Sequence, residues 1–313
     1  MTLLLRRSQV AELLDLSQAM AVMEQTFREQ AQGAVRQVPP LRFMNRGMRL
    51  VAGGLEAQNR NGLRVSVTGG DSFALLFEIS SGELLAVMGY PFSHLRISAT
   101  VGLAIERLAD PKAKRVALIG SGRLALPILE PVAALRTVEQ IVVYSRSREN
   151  REAFAARAKE KLNVPIRAAA LPEDAVREAH VVLVSTNASE PALHGKWLRP
   201  GQSIFGVGRP NEFDDEVYLA AHRICVTSKI HETGYYDTRL DQPLLRLSRQ
   251  KRLSWDDVIE FGDVVAGKTS VPDGAKSIVV FRDSQGGYGD LALASWVYDR
   301  ARREGLGQVL SLE

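Results

Sequence analysis

The chain has 313 residues, 45% apolar and 24% charged, enough for two domains with real cores or for one large one. Its 40 basic and 36 acidic side chains leave a formal charge of +4 with no basic tract, which gives no support to a nucleic-acid surface but would welcome an anionic cofactor. A single cysteine, Cys225, excludes an intrachain disulfide and a cysteine-cluster zinc site, and its apolar surroundings (Ile224, Val226) predict a buried, inert thiol.

The apolar part of the opening MTLLLRRSQVAELLDLS is too short for a signal peptide. No segment reaches the roughly eighteen unbroken apolar residues of a membrane span, so a cytoplasmic protein is expected. Ser8 is expected to cap a helix over Val10 to Leu14. Ser17 should cap a second one, through Met20, Met23 and Phe27 to about Ala31. Short runs broken by glycines follow from Leu41 to Tyr90. Leu63 to Val67 alternates, and Ala74 to Ile79 meets a turn at Ser80-Ser81-Gly82 before Leu84 to Met88, the pattern of a small antiparallel sheet. A helix should run from about Ile97 to Leu108 and close at Asp110-Pro111.

After Lys112 strands and helices alternate. Candidate strands are 115–119, 140–144, 165–169, 180–185, 203–207 and 223–227, with helices at 123–135 and 148–160 among them. This predicts an α/β fold, a Rossmann-type doubly wound parallel sheet, beside a smaller α+β domain. Residues 290–304 read as a helix, because Leu291, Ala294, Val297, Tyr298 and Ala301 recur at helical spacing.

Val116 to Glu130 (VALIGSGRLALPILE) carries the strongest chemical signal. An apolar run stops at Gly120-Ser121-Gly122, and Ala125 takes a third small position where a helix packs closely on its strand. Gly120 permits a tight turn, Gly122 permits backbone approach to a ligand, and the free N–H groups of the following helix suit a pyrophosphate. The next strand-like run ends in Ser145-Arg146-Ser147, about one βαβ unit later. An NAD site usually carries Asp or Glu there for the ribose 2′-OH. A cation between two hydroxyls suits a 2′-phosphate, which favours NADP(H) over NAD(H); the alternative is a solvated arginine at a polar helix start.

The segments LLRRSQVAELLDLSQAMAVMEQTF, PPLRF, SSGELLAVM, LRISATVGLAIERLADP, VALIGSGRLA, VVYSRSRENREAFAARA, EPALHGKWLRPGQSIFGVG, DVVAGK and GDLALASWVYDRARREGLG occur in an order and spacing well beyond a generic nucleotide fold. Through them the chain resembles the ornithine cyclodeaminase/mu-crystallin family along nearly its whole length. The resemblance implies a substrate-binding and dimerisation domain (1–111 plus 290–313) and a dinucleotide-binding Rossmann domain (112–289), assembled as a homodimer. It also implies hydride exchange between a nicotinamide and the α-carbon of a small amino or imino acid. Arg42 and Arg96 match arginines assigned to the substrate carboxylate, a pairing that fork geometry makes reasonable. Cofactor contacts are implied for Gly120, Ser121, Gly122, Arg123, Leu124, Ser145, Arg146, Ser147, Ser185, Thr186, Asn187 and Val207. Asp290 matches an aspartate near the nicotinamide end, and a helix N-cap explains it equally well.

Other positions depart from the family. Its G-x-K lysine is replaced in Gly62-Leu63-Arg64, and Arg64 can hold a charge but cannot act as a general acid or base. The cyclodeaminase aspartate after the VG turn is replaced in Val207-Gly208-Arg209-Pro210, with Asp214 and Asp215 reading as ordinary helix-start acids. The late F-K/D-S-x-G element reads Phe281-Arg282-Asp283-Ser284-Gln285-Gly286-Gly287. Arginine-rich and lacking a distal acid, the site fits a keto acid, a dicarboxylate or a carboxylated imine better than ornithine. His94, two residues before Arg96, is the leading proton-donor candidate. His180 and His222 read as structural, His194 as a turn residue, His231-Glu232 as a satisfied loop pair, and Asp71 as turn chemistry. No histidine pair has zinc-ligand spacing, so no metal is expected.

The leading expectation is therefore an NADP(H)-dependent reductase or dehydrogenase of a small imino, keto or amino acid, with Arg42, Arg96 and Arg64 on the substrate. An NAD-dependent ornithine-type cyclodeaminase and a non-catalytic NADP- and ligand-binding protein are the alternatives.

Overall fold

The computed structural model describes residues 2–43, 47–135, 137–235, 240–271, 275–284 and 286–311. Its chain forms two compact units, Met1–Ala99 with Ser228–Tyr236 and Gln285–Glu313, and Thr100–Thr227 with Asp237–Ser284. The passage from one to the other lies inside the helix Phe92–Leu108, upstream of residue 111, and Ser228–Tyr236 clusters with the first unit.

The first unit holds strands β1 (Thr2–Leu5), β2 (Val35–Gln37), β3 (Leu41–Phe43), β4 (Met48–Leu55), β5 (Arg60–Ser66), β6 (Ser72–Glu78) and β7 (Leu84–Met88), and a last strand, Gln308–Leu310. From that last strand the order is β1-β7-β6-β5-β4-β2, with β3 also on β4. The meander from β4 to β7 is antiparallel, as its alternation and turns predict, but β1 joins β7 in parallel, so the sheet is mixed. Both outer additions are short and lie at the chain's ends, where periodicity says little.

The two N-terminal helices start earlier than expected. Arg6, not Ser8, is the N-cap residue of Arg7–Leu13, and Asp15, not Ser17, is that of Leu16–Ala31. Asp15 prevails through a reciprocal capping box: its carboxylate accepts from the Gln18 N–H at 2.8 Å while its own N–H donates to Gln18 Oε1 at 3.0 Å. The last helix, Gly287–Glu304, begins three residues before the periodic pattern and buries Leu291, Val297 and Ala301 completely. Each large apolar side chain so buried stabilises the unit by about 1.5–3 kcal/mol.

The second unit is an all-parallel sheet, which makes the fold α/β with a Rossmann-type core. Its strands are β8 (Arg115–Ile119), β9 (Gln140–Tyr144), β10 (Ile166–Ala168), β11 (Val181–Val184), β12 (Ser203–Gly206), β13 (Arg223–Val226), β14 (Val258–Glu260) and β15 (Val279–Arg282). The order β10-β9-β8-β11-β12-β15-β13-β14 reverses at β8, which has β9 on one side and β11 on the other. Ligands of doubly wound sheets bind beyond the strand ends at such a switch point. Strands β14 and β15 were not anticipated. The first is three residues long, and the second enters between β12 and β13 out of chain order. Cys225 is fully buried in β13, and burial pushes its thiol well up, as suits an inert core residue.

Candidate functional site

A cleft of about 630 Å³ opens in the second unit at the switch point, bounded by Gly120 to Gly122, Tyr144 to Ser147 and Ser185 to Ala192. Gly120 has φ +113°, outside the range of L side chains, and a Cβ there would collide with the Ser185 carbonyl. Gly122 meets nothing within 4 Å, so its missing side chain leaves open space in front of the helix Ala125–Leu135. A conformation only glycine adopts, followed by free space at a helix start, fits a pyrophosphate.

At the end of β9 the Ser121 hydroxyl donates to Ser145 Oγ at 3.0 Å, tying the glycine loop to the next strand end. Ser147 caps the helix Arg148–Leu162, its Oγ accepting from the Asn150 N–H. Arg146 between them is exposed, lines the cleft, and has no hydrogen bond or ion pair among the described residues. Thr186 and Asn187 line the opposite wall. Arg123 is exposed in the turn before the helix, Leu124 is half-buried, and Val207 is fully buried with its N–H bonded to Val184 O at 3.0 Å.

In the first unit Arg64, Arg96 and Asp290 are each at most 3% exposed and form one cluster. Arg64 Nε donates to Asp290 Oδ2 at 2.7 Å, and Arg96 Nε lies 3.4 Å from Asp290 Oδ1. Two guanidiniums face one carboxylate, so positive charge outnumbers negative within this trio. Two guanidiniums held at one buried carboxylate suit an anionic ligand. Gly286 occupies the N-cap of the last helix and Asp290 is its fourth residue, so the capping explanation for Asp290 falls.

His94 shares the helix Phe92–Leu108 with Arg96. At about 100° per residue, side chains two apart point in directions about 200° apart, so proximity in sequence does not bring His94 to the Arg96 cluster. Arg42 lies on β3 opposite Arg49 of β4; its side chain falls outside the described residues. His231 is buried, its Nε2 within 2.9 Å of Val38 O and its ring stacked on Tyr288. His222 Nδ1 accepts from the Ile278 N–H, and His180 Nδ1 from those of Lys114 and Arg115. Burial, then the Arg115 charge, lowers the His180 pKa. Among the described residues no three His, Cys, Asp or Glu side chains gather as a metal site requires.

Two features were missed in the sequence. His194, a cleft residue, bonds Asp214 through Nδ1 at 2.8 Å, although the two are 20 positions apart. Glu212, fully buried, accepts main-chain N–H groups from Thr186 and Gly208. Neither pairing has a local sequence signal.

A model of the ornithine cyclodeaminase/mu-crystallin family matches residues 1–305. A delta(1)-pyrroline-2-carboxylate reductase of Bacillus cereus is 30% identical over 246 residues, 76% of this chain and 73% of that protein. The ketimine reductase mu-crystallin of Rattus norvegicus is 32% identical over 231 residues, 72% of this chain and 68% of its own. In fold, the delta(1)-pyrroline-2-carboxylate reductase of Thermococcus litoralis, solved with NADH and L-proline, matches with a TM-score of 0.87 at 22% identity, covering 98% of this chain and all of the other. With the family match running through both units, the chain belongs to the ornithine cyclodeaminase/mu-crystallin family.

Proposed function

We propose that this protein is an NADP(H)-preferring reductase of a small cyclic imine or ketimine carboxylate. The observation that carries the reading is the Arg64–Asp290–Arg96 cluster, whose two guanidiniums suit one substrate carboxylate. The relatives named as reductases of pyrroline-2-carboxylate and of ketimines support the substrate class. When bound, the nicotinamide supplies the hydride for the imine carbon. Gly120 and Gly122 would admit the pyrophosphate, and Arg64 and Arg96, with Arg42 as a third candidate, would orient the carboxylate. A guanidinium is a poor proton relay, so Arg64 serves to orient the substrate. An imine that arrives protonated needs no further acid, so the arginines of the cluster have only to orient it. The exposed apolar side chains Leu41, Val67 and Phe73 support a homodimer, which sedimentation would check.

The test follows nicotinamide absorbance with pyrroline- and piperideine-2-carboxylate, pyruvate plus ammonia, and ornithine with NAD. Oxidation of NADPH by a cyclic imine is expected. Ammonia release from ornithine would instead establish a cyclodeaminase, and tight NADPH binding without turnover a ligand-binding protein.

Cofactor choice is a separate prediction. Arg146 lines the cleft with a guanidinium that has no partner among the described residues, and no acid stands at Ser145-Arg146-Ser147. Arg146→Ala should weaken NADPH binding by about 10- to 100-fold, the scale of one charge-assisted phosphate contact, and NADH binding by less than about threefold. Equal loss for both in fluorescence titrations would remove Arg146 from the 2′-phosphate role.

A further inference from the structure

One wall of the cleft is the loop from Thr186 to Leu193, and its fastening is concentrated on two neighbouring residues. The Glu212 carboxylate accepts the Thr186 N–H with Oε1 and the Gly208 N–H with Oε2, the latter at 2.8 Å. The Glu212 carbonyl accepts from the Ala192 and Leu193 N–H groups at 2.9 and 3.0 Å, so this one residue holds both ends of the loop. The Asn211 amide holds its middle, donating to Ala188 O and Ser189 O at 3.2 and 2.7 Å. Glu212 is fully buried and Asn211 nearly so, at 2% exposure. Glycine, alanine or a hydrophobic residue at 212 would leave the loop's first N–H and that of Gly208 without this acceptor.

We propose that Glu212 is a positioning residue for dinucleotide binding, its carboxylate stapling the wall of the cleft to the segment after β12. This rests on reading the cleft as a nicotinamide dinucleotide site. Both carboxylate oxygens act as acceptors, so the ionised form makes the strongest staple; a proton on either oxygen weakens that oxygen as an acceptor and removes the charge assistance. Arg282 of β15 is the charged side chain that favours ionisation, and it also donates to the Arg209 carbonyl at 3.2 Å. The loop's own charged residue, Glu190, is exposed. Burial outweighs the Thr186 N–H, the Arg282 charge, the Gly208 N–H and the Thr186 hydroxyl, and raises the Glu212 pKa to about 7.

Cofactor binding and stability then move in opposite directions. A pKa raised on folding contributes stability that is complete below the ordinary value of 4.5 and lost as pH rises through about 7. The staple, by contrast, is strongest above about 7. A residue with a purely structural role would move both together.

The experiment is titration of the full-length protein with NADH, which lacks a titrating 2′-phosphate, at pH 6 and pH 8, with thermal unfolding alongside. At pH 8, Glu212→Gln is expected to weaken NADH binding about tenfold, the scale of one charge-assisted hydrogen bond, without lowering Tm. At pH 6 the difference in affinity should shrink to about threefold or less, because the native residue is then mostly protonated. Glu212→Asp, which keeps the charge, should bind NADH more tightly than Glu212→Gln at pH 8; it also serves if the glutamine variant does not fold. Native affinity at pH 8 in Glu212→Gln, a loss there that does not change with pH, or Glu212→Asp binding no more tightly than Glu212→Gln overturns the staple. Native protein that takes up neither NADH nor NADPH overturns the nucleotide reading and this inference with it.

Discussion

Replacing Arg64 by methionine is expected to raise KM for a cyclic imino carboxylate by about 100-fold, with kcat falling less. The side chain is 3% exposed and committed to Asp290 through Nε at 2.7 Å, leaving its terminal nitrogens as the donors a substrate can use. Removing one member of a buried, hydrogen-bonded charge pair costs about 2–5 kcal/mol in binding, which brackets a factor of 100. Methionine has similar bulk and leaves Asp290 paired with Arg96, so unfolding free energy should drop by only about 1–3 kcal/mol. Thermal unfolding separates that loss from the kinetic one. Arg64→Lys is the informative companion, because it restores the residue expected from the family pattern. It keeps a charge against Asp290 but gives up the planar fork, so KM should rise about tenfold. A lysine can also lose its proton, and its pH–rate profile should gain an alkaline limb that the native enzyme lacks. A KM within twofold of native in Arg64→Met would take Arg64 off the substrate.

What the sequence could reveal of all this depended on distance along the chain. The β8-glycine-helix-β9 unit was legible because each strand holds an apolar run of four and its punctuation is local. The family resemblance extended that reading to both domains. By contrast β15 joins β12 and β13 out of chain order, and no periodicity reports such an insertion. Helix caps were misplaced by two residues, because Ser8 and Ser17 are good caps on their own, while Asp15 is a better one only with Gln18 behind it. The Arg64–Asp290 contact joins residues 226 positions apart, and the sequence showed the parts without the bond. Glu212 and His194 were illegible for the same reason. Each acquires its chemistry from a partner that folding supplies.

Gly120→Ala and Gly122→Ala should separate the two demands placed on the nucleotide loop. At Gly120 the backbone is at φ +113°, and holding a side chain in such a region costs about 1–3 kcal/mol. The added Cβ would also meet the Ser185 carbonyl, and neither group has room to retreat. The Gly120 N–H is bonded to Tyr144 O at 2.8 Å, and the Ser185 N–H to Ile119 O at 2.9 Å, so moving either breaks a tie between β8 and its neighbours. Strain and steric conflict together should cost about 3–5 kcal/mol and displace the loop bearing Thr186 and Asn187, lowering Tm and abolishing measurable NADPH binding. Gly122 carries no such backbone constraint, and a Cβ there meets no atom within 4 Å. Its alanine variant should therefore unfold at the native temperature and still lose at least about tenfold in affinity for both NADPH and NADH, since the methyl enters the space read as the pyrophosphate's. Native affinity in Gly122→Ala would mean that the phosphates lie elsewhere, whereas a drop in Tm would mean that the open space is needed by the protein itself.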